Sequence, residues 1–334
     1  MKLDTTWLGL SLPHPFVVGA SPLVDDLDTV RRLEDGGAAA VVMHSLFEEQ
    51  ILAEELATLG PLDDAREAYG EALDFLPMPD EFSLGPEPYL DHIRKLKECL
   101  SIPVIASLNG TTRGGWLRYA GLIQEAGADA LELNFYDIPQ DPSQSSADIE
   151  TQFCDIVWEL RGMLDLPISV KLSPYFTSLP HFALKLEESG VAGLVLFNRP
   201  FEPDYDIDNL TGTRTLHLSK SNELLNRLRW SGILSAERSL DIAISGGVHS
   251  PTDGIKAILS GACAVQVVSA VLEHGAHLFG SLREGLSNWL EEMEYSSLDK
   301  ARGALNLARC PNPEIYKRAN YIHLLQSWRG ILEP

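Results

Sequence analysis

Eight times along the chain a short apolar, β-branched run is followed by a helix-length amphipathic stretch. That alternation restricts the fold more than any single motif. The strand runs are Phe16–Gly19, Ala39–Met43, Pro103–Ser107, Ala130–Asn134, Ile168–Leu172 and Gly193–Asn198, then one around Ile244–Val248 and one around Val265–Ser269. Phrases such as Glu125-Ala126-Gly127-Ala128 and Glu188-Ser189-Gly190-Val191 precede strands, each a helix end with a glycine able to take the left-handed cap. Nearly continuous apolar strands separated by helices predict a parallel sheet covered on both faces. An open doubly wound sheet shares the alternation. Eight units, no GxGxxG after the first strand and small-residue turns in the last two units favour a closed (β/α)8 TIM barrel. The prediction is therefore α/β, one barrel over residues 1–334 with no second domain.

Two connections exceed the ordinary length. Residues 46–82 carry eleven acidic residues and one basic one, with helix-like stretches at Glu48–Leu59 and Asp63–Phe75. Residues 200–236 begin polar and turn-rich and become helical around Asn222–Arg229. Both follow strands (the second and the sixth), which places both insertions on the C-terminal rim, where barrel active sites are built. The acidic insertion reads as a solvated cover or contact surface rather than a chemical site. Residues 297–334 form a tail whose Tyr321, Leu324 and Trp328 are expected to pack onto the barrel.

The last two units end in Ser245-Gly246-Gly247 and in Val268-Ser269. Glycine there lets a phosphate approach main-chain N–H groups with no side chain in the way, and the loops after strands 7 and 8 are the usual phosphate site of such barrels. An ordinary βαβ turn would also use Gly-Gly.

Composition narrows the partners. A hydrophobic share of 45% with 22% charged residues describes a globular chain with a large core. The net charge of −22, from 48 acidic against 26 basic residues, disfavours nucleic acid and anionic membranes. No apolar run approaches the roughly 18 residues of a membrane helix, and the N-terminus lacks a signal peptide's apolar core. Cys99, Cys154, Cys263 and Cys310 are scattered, without CxxC or Cys/His clustering, so free thiols in a reducing cytoplasm and no metal are expected.

Chemistry in a barrel comes from side chains at the C-terminal ends of strands. Here these are Ser21, His44 with Ser45, Asn109, Asn134 with Tyr136 and Asp137, Lys171, Asn198 with Arg199, the Ser245–Gly247 turn, and Ser269. Lys171 is the sharpest case, a lysine inside the Ile168–Leu172 strand, which calls for an anionic or electron-rich partner, a neighbouring acid, or a path past the rim. His44 is less specific, since a rim histidine is often only hydrogen-bonded scaffold.

These residues carry a resemblance. His14-Pro15-Phe16 leading to Gly19-Ala20-Ser21, Glu132-Leu133-Asn134, Val170-Lys171-Leu172-Ser173-Pro174, Asn198, Ser245-Gly246-Gly247-Val248 and Leu259-Ser260-Gly261-Ala262 leading to Ser269 together resemble the dihydroorotate dehydrogenase family. Its members are FMN-dependent barrels, and the similarity is nearest to the dihydroorotate dehydrogenase-like branch of this pyrimidine-related family. It covers roughly residues 14 to 272. The resemblance implies an FMN phosphate on the backbone of Gly246, Gly247, Val268 and Ser269, beside Ser245. It implies a flavin ring near Ala20, Ser21, Asn109, Asn134 and Asn198, with Lys171 at the ring's N1/C2 edge. The orotate half of the family pattern is rewritten. The Cys or Ser base has become Asp137, a substrate asparagine has become Pro139, and the lysine ending strand 2 has become His44. No asparagine precedes Asn109, and Arg199-Pro200-Phe201 replaces small polar residues.

The reading that results is a cytoplasmic FMN oxidoreductase of the CH-CH class, expected as a homodimer, that passes a hydride between a small polar or anionic substrate and flavin N5. Dihydroorotate is not the expected substrate. Tyr136, Asp137 or His44 would handle the proton, and Asn134, Asn198 and Arg199 would bind substrate, Arg199 by clamping a carboxylate. Two alternatives stand beside it. One is a flavin-free phosphate-binding isomerase or lyase using Lys171, and the other is a flavoprotein subunit serving a redox partner through the acidic insertion.

Overall fold

Short, largely apolar runs build eight strands: β1 (Phe16–Val18), β2 (Val41–Phe47), β3 (Val104–Asn109), β4 (Ala130–Phe135), β5 (Ile168–Leu172), β6 (Gly193–Leu196), β7 (Asp241–Ser245) and β8 (Ala264–Val267). In the computed structural model they pair in parallel and close into a barrel of order β7-β8-β1-β2-β3-β4-β5-β6. The structure describes residues 1–48, 50, 86–110, 113–199, 202–213, 215, 217–237 and 239–327. The predicted (β/α)8 barrel is thus observed. Most of 46–82, with its two expected helices, lies outside the described residues, as do Pro200, Phe201 and Trp328.

Helices α1 (Leu27–Asp35), α2 (Pro86–Cys99), α3 (Arg113–Glu125), α4 (Ser146–Met163), α5 (Leu179–Glu188), α6 (Leu224–Leu234) and α7 (Pro251–Ser260) follow β1 to β7 in turn. After β8 come α8 (Ser269–His274) and α9 (Leu278–Glu292). Local chemistry sets their limits. Ser145 caps α4 through a reciprocal pair with Asp148, and Ser250 does the same for α7 with Asp253, where Pro251 fits the first turn. On α4 the stripe of Phe153, Ile156, Val157 and Leu160 is buried.

The period of two divides each strand between two environments. Leu131, Leu133 and Phe135 of β4 join the layer between strands and helices, as do Ile168, Val170 and Leu172 of β5. Their neighbours point into the barrel, whose interior is layered. Its lower part is apolar, with Val17, Val42, Ile105, Ala130, Val195, Ala243 and Ala264 packed on Trp7, Leu8 and Leu12. These last three belong to an N-terminal hairpin (Thr5–Trp7 with Leu10–Leu12) that plugs the barrel floor. Its turn needs positive φ at Leu8 and Gly9, 54° and 75°. Trp7 is fully buried, worth about 4–6 kcal/mol of apolar burial, which exceeds the about 1–3 kcal/mol cost of its unpartnered indole N–H.

Three expectations shift. Strand 7 begins at Asp241 and ends at Ser245, so Gly246 and Gly247 belong wholly to the turn, with φ of 87° and 80°. Strand 2 runs on to Phe47 through a register irregularity between Val42 and Ser45, which leaves His44 within the strand rather than at its end. The tail packs through Leu298 and Ala301, which join the core, rather than through the residues expected. Tyr321 and Leu324, on the short helix Asn320–Ser327, are 64% and 67% exposed.

Candidate active site

Above the apolar floor the barrel interior turns polar. Ser107, Glu132, Ser169 and Gln266 are completely buried there, and Lys171 nearly so. Register aligns Ser107 with Glu132 and Glu132 with Ser169, and one level higher Asn109 with Asn134 and Asn134 with Lys171. The ammonium of Lys171 lies 3.4 Å from Glu132 Oε1 and donates to Gln266 Oε1 at 3.2 Å, while Gln266 Nε2 donates to Glu132 Oε2 at 2.5 Å. The strand lysine therefore has an acid partner, and charge balances inside the barrel. Gly19 permits the same level to close, since a Cβ there would stand 2.8 Å from Val268 Cγ2.

A cavity of about 420 Å³ opens above this triad at the C-terminal mouth. It gathers Ala20, Ser21, His44, Asn134, Lys171, Asn198, Arg199, Ser245, Gly246, Val268 and Ser269, most of the residues expected from the sequence. Asn134 Nδ2 donates to Ser45 Oγ at 3.4 Å, and its buried Oδ1 has no hydrogen-bond partner among the described residues. Asn198 Nδ2 donates to the Lys171 carbonyl at 3.4 Å. His44 Nδ1 stands 2.5 Å from Asp25 Oδ1, and its ring meets Tyr89 edge-on at 5.4 Å. Arg199 pairs with Glu223 at 3.1 Å. Asn109 is buried beside this group but does not line the cavity.

Tyr136 and Asp137 are not brought into the mouth. They line a second cavity, of about 360 Å³, with an apolar base of Phe135, Phe153 and Phe176 between the loops after β4 and β5. Alternation accounts for this. Asn134 points inward and Phe135 outward, and the chain after Phe135 leaves on the outer side.

The far end of the mouth cavity is built around the glycine turn. A Cβ on Gly247 would lie 2.7 Å from the Leu224 nitrogen, and one on Gly246 would lie 3.0 Å from Arg227 Nη2. Ser219 links three parts of the turn region. Its hydroxyl accepts from Gly247 N at 3.2 Å and lies 2.9 Å from Ser269 Oγ, and its own N–H donates to Ser269 Oγ at 3.0 Å. Arg227 is buried on α6, with Nε donating to the Ser245 carbonyl and Nη1 to the Glu223 carbonyl at 2.8 Å. Burial pulls its pKa below the ordinary arginine value, with Glu223 opposing and Arg199 adding to the shift. Among the described residues no carboxylate pairs with it. A buried cation beside backbone N–H groups and small residues is an anion site by its chemistry.

Neither Ser219 nor Arg227 stands out from the sequence. Ser219 comes from an aperiodic loop. For Arg227 a signal existed, since it falls on the buried stripe of α6 with Leu224, Ser231 and Leu234, where a cation is out of place.

No protein-family model matches the chain. Comparison with known proteins finds similarity along most of its length. The Methanothermobacter thermautotrophicus protein named dihydroorotate dehydrogenase B (NAD(+)), catalytic subunit, is 27% identical over 315 residues, 90% of this chain and 97% of that one. An Aeropyrum pernix protein assigned as dihydroorotate dehydrogenase A (fumarate) is 32% identical over 215 residues, 61% of this chain and 67% of its own length. The Escherichia coli NAD-dependent dihydropyrimidine dehydrogenase subunit PreA is 26% identical over 326 residues, 91% of this chain and 77% of that protein.

Proposed function

This chain belongs to the dihydroorotate dehydrogenase family, and from that premise we propose that it is an FMN-dependent oxidoreductase acting on a small polar or anionic substrate other than dihydroorotate. The observation that carries the reading is the mouth cavity itself. One end offers a glycine turn, two serines and a buried arginine that no carboxylate pairs with among the described residues, and the other offers Asn134, Asn198 and Lys171. The residues fit FMN. Both glycines of the turn sit at positive φ, and among the described residues no carboxylate pairs with Arg227 and Asn134 Oδ1 has no hydrogen-bond partner.

Gly246, Gly247, Ser269, Ser219 and Arg227 would hold the phosphate, and Ala20, Ser21, Asn134 and Asn198 would line the ring's place. FMN bound there supplies a hydride acceptor or donor and builds up negative charge on its ring when reduced. Lys171 provides the fixed positive charge that favours that state, with Glu132 and Gln266 holding the ammonium in place. Of the three proton-handling candidates, His44 alone lines this cavity, beside Asp25, so the reading favours it over Asp137 and Tyr136. Arg199 at the rim would meet a substrate carboxylate. Lys171 is held in an ion pair, and this argues against the flavin-free isomerase or lyase that would need it as a free amine.

The purified protein tests this. Flavin absorption with one phosphorylated flavin per chain is expected, and a colourless protein that takes up no FMN would refute the reading. Mixing the loaded protein anaerobically with dihydroorotate should leave the flavin oxidised, because three polar partners of the orotate ring are gone and each unpaired group costs about 1–3 kcal/mol. Rapid bleaching would return dihydroorotate to the list of substrates.

A second reading has its own support. Two of the relatives are named as subunits, one of them a catalytic subunit. Turnover that depends on an added redox protein would favour a partnered role over a self-sufficient enzyme.

A further inference from the structure

On residues that do not line the mouth cavity, one of them next to the glycine turn in sequence, three side chains with metal-ligating atoms converge. His249 comes from the loop between β7 and α7, and Glu273 and His274 from the last turn of α8. Their ligand atoms all lie within 4.8 Å of one another. His249 Nδ1 stands 3.4 Å from Glu273 Oε2, and His274 Nε2 stands 3.9 Å from the same oxygen. We propose that His249, Glu273 and His274 form a binding site for a divalent transition-metal ion of the zinc class. This goes beyond the flavin reading and does not rest on it.

Separation is the first argument. Bonds of about 2.0–2.1 Å to imidazole nitrogen and carboxylate oxygen put neighbouring ligands of a tetrahedral ion about 3.3 Å apart. The observed 3.4 and 3.9 Å are close to that spacing and need only small rotations of Glu273 and His274, whose side chains are 41% and 53% exposed. Neither contact has hydrogen-bond geometry, so the three groups face a common gap rather than one another.

The state of His249 is the second argument. Its Nε2 is sealed from solvent with no hydrogen-bond partner among the described residues, and its Nδ1 edge faces the cluster. Nδ1 is the ring atom that faces Glu273 Oε2, 3.4 Å away, and a neutral imidazole with its proton on Nε2 offers the Nδ1 lone pair to an ion in the gap. Among the described residues Glu273 has no Lys or Arg partner, and its ion-pair contacts are these two imidazoles. Two neutral imidazoles and one carboxylate suit zinc or its first-row neighbours rather than magnesium or calcium, and the exposed side leaves room for water as a further ligand.

Position gives the site a consequence. The turn that ends in His249 carries Gly246 and Gly247, and α8 starts at Ser269 and ends at His274. An ion there would tie together the two segments that make the anion end of the mouth.

Equilibrium dialysis of the full chain against Zn²⁺ and Co²⁺, without added flavin, tests this. One equivalent is expected to bind with a Co²⁺ spectrum free of thiolate charge-transfer bands, which separates the site from the four free cysteines. His249→Ala and His274→Ala should each weaken binding by at least about tenfold and abolish the rise in Tm that the ion gives the wild type. His274 is exposed, so that variant keeps its fold even if His249→Ala does not. Absence of binding at micromolar ion, a thiolate spectrum, or equal binding by wild type and His274→Ala would each overturn the proposal. None of these outcomes bears on whether the chain binds FMN.

Discussion

Lys171 Nζ and Glu132 Oε1 stand 3.4 Å apart on adjacent strands inside the barrel, the carboxylate with no solvent exposure at all. The pair makes the lysine structural as well as chemical. Lys171→Ala would leave Glu132 buried with only Gln266 for company, and loss of one partner from a buried pair costs about 3–5 kcal/mol. Denaturant titration should show that loss. The double variant Lys171→Met with Glu132→Gln should recover most of it, giving a coupling energy well above zero in the double-mutant cycle. Additive effects would mean the two charges do not depend on each other.

Gly247→Glu should remove flavin from a still-folded barrel. The substitution puts a side chain at a φ of 80°, against the Leu224 backbone, and adds a negative charge to an anion site. Flavin content per chain is the readout, with circular dichroism as the check on folding. Full FMN occupancy in the folded variant would contradict the phosphate assignment.

Arg227→Met separates phosphate recognition from ring recognition. A charge-assisted hydrogen bond is worth about 1.5–3 kcal/mol, so FMN should bind about 10- to 100-fold more weakly while riboflavin, which lacks the phosphate, binds as before. Equal losses for both ligands would place Arg227 outside the phosphate site.

His14 predicts how stability changes with pH. Burial lowers its pKa from 6.5 to about 4, opposed by a hydrogen bond to the Gly37 backbone and aided by Arg283. The ring's Nδ1 accepts from the Phe16 N–H at 3.3 Å, which requires the neutral form. The unfolded chain takes up the proton first as pH falls. The stabilisation is therefore complete above pH 6.5 and is lost between 6.5 and about 4, by up to about 3 kcal/mol. His14→Gln should flatten the stability profile across that window, and an unchanged slope would assign the acid sensitivity to other groups.

Much of the barrel was legible because its strands alternate so regularly. Ile168–Leu172 was bounded correctly from its period and the Ser173-Pro174 that follows. The start of strand 7 is masked in the sequence by Asp241, an acid whose carboxylate accepts the Leu8 N–H at 2.7 Å across the barrel floor. Glycines, Asn134 and Lys171 announced themselves in the site because each is an awkward residue for the place it holds. Tyr136 and Asp137 did not fall where position alone put them, since alternation stops governing direction once the strand ends. Ser219 and Arg227 were hidden because an insertion folds back to supply them, and a sequence does not say where an insertion returns.

The hairpin beneath the barrel has a consequence for what happens at its top. With Trp7 and Leu12 seated in the floor, the Lys171–Glu132–Gln266 triad lies at the bottom of a blind well, open to water from the mouth alone. Whatever occupies the mouth becomes the stopper of that well. Its inner face looks onto a fixed charge pattern with bulk solvent cut off behind it, while its outer face remains open for a second molecule to come and go. The two sides of the same ligand would then live in different media, and exchange of reactants would be confined to one of them.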